Sequence, residues 1–244
     1  MLLQRFLGEV QLPLASMQTL LELADLAAVD PLTALPIRIC VEHVEHLLEL
    51  ATDYGDCGAI EAGQVKPTPE PVALLPWLTD TVAGVAATAS RLQIDLQIKH
   101  RSFLPSHVVL DPVLAARALK SVLRVALQRS LPGRLELRVA FDHDRQAPLR
   151  SRLRLECQGR GGGFAEIDQG YVFTPFAVRD AAARPWLGLS VGQALCELLG
   201  GGVTVQSPGL SACTYTVAFA APPAADANWT DPMAGSESSF GPVA

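Results

Sequence analysis

Phe173-Thr174-Pro175-Phe176 precedes Trp186-Leu187-Gly188-Leu189-Ser190, which leads into Glu197-Leu198-Leu199-Gly200-Gly201. Leu187 to Leu199 reads as a helix stopped by Gly200-Gly201-Gly202, because glycine accepts the left-handed conformation that closes a helix. Val203 to Gln206 and Thr214 to Phe219 then read as a closing hairpin.

Upstream, Asp111-Pro112 is a strong helix start, with an acceptor at the cap and proline at the first helical position. That helix is expected to reach about Ser130, followed by a turn at Leu131-Pro132-Gly133. Leu135 to Phe141 and Leu149 to Cys157 read as strands. Val72 to Arg91 reads as helical, Gln93 to Lys99 as a strand and Val108 to Leu110 as a short one. This order predicts an α/β sandwich, one mixed sheet with helices on one face.

Nearer the N-terminus, residues 2–29 show apolar residues at helical spacing, interrupted by Pro13, which should kink the helix. Asp30-Pro31 to Pro36 reads as a turn and Ile37 to Tyr54 as a second helix. The fold class is therefore α+β: a two-helix hairpin, then the sandwich. A hairpin alone cannot bury so wide an apolar stripe, so a homodimeric four-helix bundle is expected. The expected divisions are residues 1–55 for the hairpin, 56–71 for a Gly- and Pro-bearing linker, 72–220 for the sandwich and 221–244 for a tail. The tail holds three acids and no Lys or Arg, and reads as disordered. Its Trp229 and Phe240 are expected to be incidental aromatics.

The chain has 244 residues, 49% of them hydrophobic, which suffices for a packed core. A net charge of −6 and a pI near 5.4 give no nucleic-acid footprint. Arg145, Arg150, Arg152 and Arg154 are expected to be a solvated strand face. Five scattered cysteines form no CxxC pair and no even framework, so a reducing, cytoplasmic setting is expected. Neither a signal peptide nor a membrane-spanning run is visible, so no membrane partner is expected.

The FxPF segment, the GLS turn and the LxGG stop together resemble the C-terminal half of a sensor histidine kinase ATP-binding domain, of the GHKL type. The resemblance extends over about residues 5–220. Ile60-Glu61-Ala62-Gly63 is similar to the family's linker end, and Pro71-Val72-Ala73-Leu74-Leu75 to its "PVxLxxLL" start.

The resemblance also shows departures. Against the phosphoacceptor segment "HELRTPL" stands Gly8-Glu9-Val10-Gln11-Leu12-Pro13-Leu14, with Gly8 at the His position. Phosphotransfer needs an imidazole nucleophile there, and glycine has no side chain. Along the Asn box the two asparagines become Ser121 and Val125, and the lysine becomes Gln128. The second asparagine would hold magnesium, which takes hard oxygen ligands that valine lacks. The first glycine box, "DxGxG", reads Cys157-Gln158-Gly159-Arg160-Gly161, so a thiol replaces the carboxylate that would meet the adenine amino group. The second, "GxGLGL", reads Arg184-Pro185-Trp186-Leu187-Gly188-Leu189. Trp186 fills phosphate space, Pro185 removes an amide donor and Arg184 retains a charge for an anion.

Taken together, the resemblance implies a degenerate nucleotide pocket, with ATP and magnesium bound weakly or not at all and no resident cofactor or metal. The first reading is a catalytically inactive regulatory module. Its hairpin would engage a response regulator receiver domain or a true histidine kinase through Glu9, Gln11, His43 and His46. A second reading is an ATP-independent phosphotransferase using His43 or His46, which stand three apart on one helix face. A third is an atypical active kinase.

Overall fold

A computed structural model of the chain describes residues 11, 14–24, 31–100, 103–144, 146–164, 171–174, 187–209, 211–230 and 238–240. It divides into two compact units, Met1–Val65 and Lys66–Ala244.

The first unit is helical. Helix α1 covers residues 14–24 and α2 covers Pro31–Glu61. Val44 and Ala51 are buried, and Gln11 Nε2 donates to Thr52 Oγ1 at 3.3 Å, tying the two helical segments together. Met17, Leu20, Leu23, Ile39 and Leu47 stay exposed.

Helix α2 corrects two expectations. The turn read between Asp30 and Pro36 is helical from Pro31 onward. Proline is tolerated where a helix begins, because the amide it lacks has no intrahelical partner there. Pro36, one turn further on, removes a single bond. At the other end the helix runs through Gly55 and Gly58 into the expected linker. An interior glycine costs only about 1 kcal/mol relative to alanine, too little to stop a long helix.

In the second unit β1 (Glu70–Ala73) leads into α3 (Leu74–Ala83) and α4 (Ala86–Arg91). The expected helix from Val72 to Arg91 is therefore shorter and broken. The break falls at Gly84, where a Cβ would lie 2.8 Å from Lys120 Cε. The chain continues through β2 (Ile94–His100), β3 (Leu104–Pro105), β4 (His107–Leu110), α5 (Pro112–Arg129), β5 (Gly133–Asp142) and β6 (Arg152–Arg160). It ends with α6 (Leu187–Leu198), β7 (Gly202–Gln206), β8 (Ala212–Ala220), β9 (Trp229–Thr230) and β10 (Ser238–Phe240).

The main sheet runs β10-β2-β5-β6-β8-β7. Its β2–β5 pair is parallel and its other pairs are antiparallel, giving the mixed sheet expected. Alternate residues along β2, β5, β6 and β8 are buried, Leu96, Leu137, Leu155 and Val217 among them, while their neighbours are half-exposed. One face therefore packs under the helices, the pattern of a one-sided sheet. On the other face Glu136 pairs with Arg138 (2.9 Å) and Lys99 (3.6 Å), and Arg154 with Asp142 and Glu156 (3.3 Å each).

The tail departs from expectation. Among its described residues, 221–228 form no strand, but Trp229–Thr230 (β9) pairs with β3 and Ser238–Phe240 (β10) pairs with β2. Trp229 meets Phe141 at 5.8 Å and His143 at 4.9 Å, so it is not incidental. Composition misleads here because the gain comes from backbone pairing to open strand edges, which needs no charged or bulky side chain.

Candidate functional site

Helix α5 is the spine of the site. Asp111 Oδ1 accepts from Val113 N (3.0 Å) and Leu114 N (2.9 Å), and Oδ2 accepts from Thr68 N (2.8 Å). Burial works to raise the Asp111 carboxyl, but these donors hold it below the usual carboxylate range. The cap fixes the helix start, and hence the placement of Ser121, Val125 and Arg129, four residues apart along one face.

Ser121 and Val125 are buried, and the structure brings both against Gly188 in the first turn of α6. A Cβ at position 188 would lie 2.9 Å from Ser121 O and 3.0 Å from Val125 Cγ2. One turn later, a Cβ at Gly192 would lie 2.7 Å from Val122 Cγ2. Gly188 and Gly192 are thus the contact that lets α5 and α6 approach backbone to side chain. Ser121 Oγ accepts from Arg124 Nη2 at 3.4 Å, and Val125 supplies only methyls. Ser190 Oγ, buried in the same turn, has no partner among the described residues.

Cys157 sits mid-strand on β6, opposite Leu137 and Tyr215. Burial, then Cys213, pushes its thiol up to about 12. It is therefore a neutral hydrophobe and offers no carboxylate. Gly159 lies beneath Leu135 Cδ1 and 2.6 Å from Ser130 Oγ, measured from an added Cβ. Gly161 and Gly162 take positive φ, 78° and 74°, where the chain leaves the sheet.

Sequence reasoning missed the residue that holds this turn. Arg129 Nε donates to Gly162 O (3.0 Å) and Nη2 to Gly163 O (2.7 Å). Its guanidinium lies 4.0 Å from the Phe164 ring centroid. Tyr215 Oη donates to Gly162 O at 3.3 Å, and its ring meets Phe164 edge-on at 6.3 Å. Phe164 N donates to Ser207 Oγ at 2.7 Å. The glycine segment is thus bonded to the protein's own side chains. The available signal was the spacing: Arg129 is one more turn along the Ser121–Val125 face.

Among the other expected site residues, Gly8, Glu9, Arg184 and Trp186 lie outside the described residues, as do Arg145, Pro175 and Phe176. Gln11 is half-buried and bonded within its own unit. His43 is exposed on α2, and His46 lies on the same helix. Among the described residues no cluster of His, Cys, Asp and Glu could hold a metal, and no helix is long and apolar enough to cross a membrane. An open cleft of about 720 Å³ lies elsewhere, at the far end of β5, lined by Phe141, Asp142, His143, Asp144, Gln146, Arg150 and Arg152.

No family model matches the chain. It is 28% identical over 239 residues to the virulence sensor protein BvgS of Bordetella parapertussis, which covers 91% of this chain and 19% of that protein. It is 30% identical over 183 residues to the circadian input-output histidine kinase CikA of Synechococcus elongatus, covering 71% of this chain and 23% of the other. The chain thus spans about a fifth of the length of the curated relatives it matches. Among solved structures, full-length ShkA in complex with AMPPNP aligns with a TM-score of 0.68 at 19% identity, covering 94% of this chain and 46% of that one. The histidine kinase AdeS of Acinetobacter baumannii aligns at 0.57 and 19% identity, covering 85% and 96%. By sequence the chain is a homologue of the sensor histidine kinases, and by structure it carries the fold of their ATP-binding catalytic domain.

Proposed function

We propose that the chain is a nucleotide-independent regulatory module of two-component signalling, a kinase-like fold that binds a receiver domain or a true histidine kinase and performs no phosphorylation itself. One observation carries the reading. The residues aligned with the family's magnesium and phosphate positions, Val125 and Gly188, pack directly on each other, with a Cβ at 188 only 3.0 Å from Val125 Cγ2. Buried methyls cannot replace magnesium's oxygen ligands. Cys157 and the Arg129-locked glycine turn support the same conclusion on the adenine side. These residues do not fit Mg-ATP.

The helical unit is proposed as the dimer and partner surface. Met17, Leu20, Leu23, Ile39 and Leu47 present exposed apolar groups there. Burying such a side chain is worth roughly 1.5–3 kcal/mol, ample for a second copy. Light scattering should return twice the 26.0 kDa chain mass, and Leu20→Glu with Leu47→Glu should halve it.

A second reading rests on the exposure of His43, flanked on α2 by Glu42 and Glu45. It takes the chain as a phosphotransferase without ATP. Two assays separate the readings. Incubation with labelled ATP and magnesium should leave the chain unlabelled, and acid-labile labelling would contradict both. Incubation with a phosphorylated receiver should transfer nothing to a binding module. Transfer abolished by His43→Gln or His46→Gln would establish the second reading instead.

A further inference from the structure

The C-terminal segment follows one side of the sandwich and satisfies backbone groups that would otherwise be open. Ala221 N donates to Ser151 O (3.0 Å), Val109 N to Pro222 O (2.8 Å), Ala224 N to His107 O (3.0 Å) and Ser106 N to Asn228 O (2.6 Å). Asn228 N donates to Ser106 Oγ at 2.9 Å. Trp229 lies opposite Pro105, and Ser238, Ser239 and Phe240 lie opposite Ile98, Gln97 and Leu96. Strand β2 has β5 on its other side, so β10 covers what would be the sheet's open edge.

The hold is extended, buried at Ala221 and Ala224 and shallow beyond them. β9 has two residues and β10 three. Trp229 rests on Phe141 and His143 yet stays 43% exposed. On β2, the buried polar atoms Gln97 Oε1 and His100 Nδ1 have no partner among the described residues, a cost that water would relieve if the edge opened. Recognition depends on backbone pairing plus one aromatic anchor, the chemistry of strand addition.

We propose that β2, β3 and β4 form a strand-acceptor surface, filled in the free chain by its own residues 221–230 and 238–240. When that segment lifts, the surface takes the same segment from a second copy. An identical segment meets an identical register, so exchange between copies needs no new complementarity.

The test uses the full chain and hydrogen exchange read by mass spectrometry. Trp229→Ala with Ser239→Pro removes the anchor and puts a proline in the middle of β10 opposite Gln97. Exchange should rise about tenfold or more in Ile94–His100 and His107–Leu110, and stay unchanged in β6 and β8, as expected for local opening. A synthetic peptide of residues 221–244 should restore protection, and the same peptide carrying Trp229→Ala should not. Unchanged exchange in the variant would overturn the proposal. So would an even rise over all strands, which would make the segment part of the core, or failure of the unmodified peptide to restore protection.

Discussion

The Arg129 guanidinium lies 4.0 Å above the ring of Phe164 while donating to the carbonyls of Gly162 and Gly163. One side chain thereby closes the turn that follows β6. Arg129→Ala should cost about 2 kcal/mol, from lost charge-assisted bonds and the cation–π contact. Arg129→Lys should recover only part of that, because an ammonium cannot fork across two carbonyls. Urea denaturation of the three proteins is the check.

Gly188→Ala should destabilise the fold by about 1–3 kcal/mol, since the added methyl meets Ser121 O at 2.9 Å and Val125 Cγ2 at 3.0 Å. Combining it with Val125→Ala should return part of the loss by opening space. A neutral Gly188→Ala would mean that α5 and α6 stand further apart.

Cysteine reactivity reports whether the adenine side is open. Cys40 is exposed, whereas Cys157, Cys196 and Cys213 are buried. Burial first, then Cys213, holds Cys157 at about 12, and burial, then Glu197, does the same for Cys196. A thiol alkylating reagent at pH 8 should label Cys40 quickly and reach Cys157 only on unfolding. Rapid native-state labelling of Cys157 would show a cavity beside it.

Asp111 gives a pH signature. Its carboxyl is held below the ordinary range by the amides of Leu114, Thr68 and Val113, against the opposing effect of burial. A depressed folded-state pKa stabilises the fold above the unfolded value, and that stabilisation is lost as pH falls through the folded one. Asp111→Ala should cost about 1 kcal/mol near neutral pH, as for other lost caps. The gap between the two proteins should shrink as acid protonates Asp111 in the parent. Denaturation midpoints measured from neutral pH down past the usual carboxylate range test it.

Where the sequence is legible, the physics is local. Asp111-Pro112 announces its helix because the cap and the proline act within one turn. The strands show because a one-sided sheet forces alternation, as in Leu135, Leu137 and Val139. Gly188 was visible as a glycine, but its packing against Ser121 and Val125 depends on how two helices cross. Arg129 was marked locally only by its place one turn beyond Val125 on the same face, and its role stayed hidden because its partners Gly162, Gly163 and Phe164 lie more than thirty residues away. The tail misled for the same reason: its partners, Ser106 to Val109 and Leu96 to Ile98, are over a hundred residues back.

The proposed loss of Mg-ATP binding is open to direct measurement. Titration calorimetry of the full chain with ATP, with and without magnesium, tests it directly. The account predicts no saturable heat into the millimolar range and no difference on adding magnesium. Saturable, magnesium-dependent binding of one ATP per chain would contradict it.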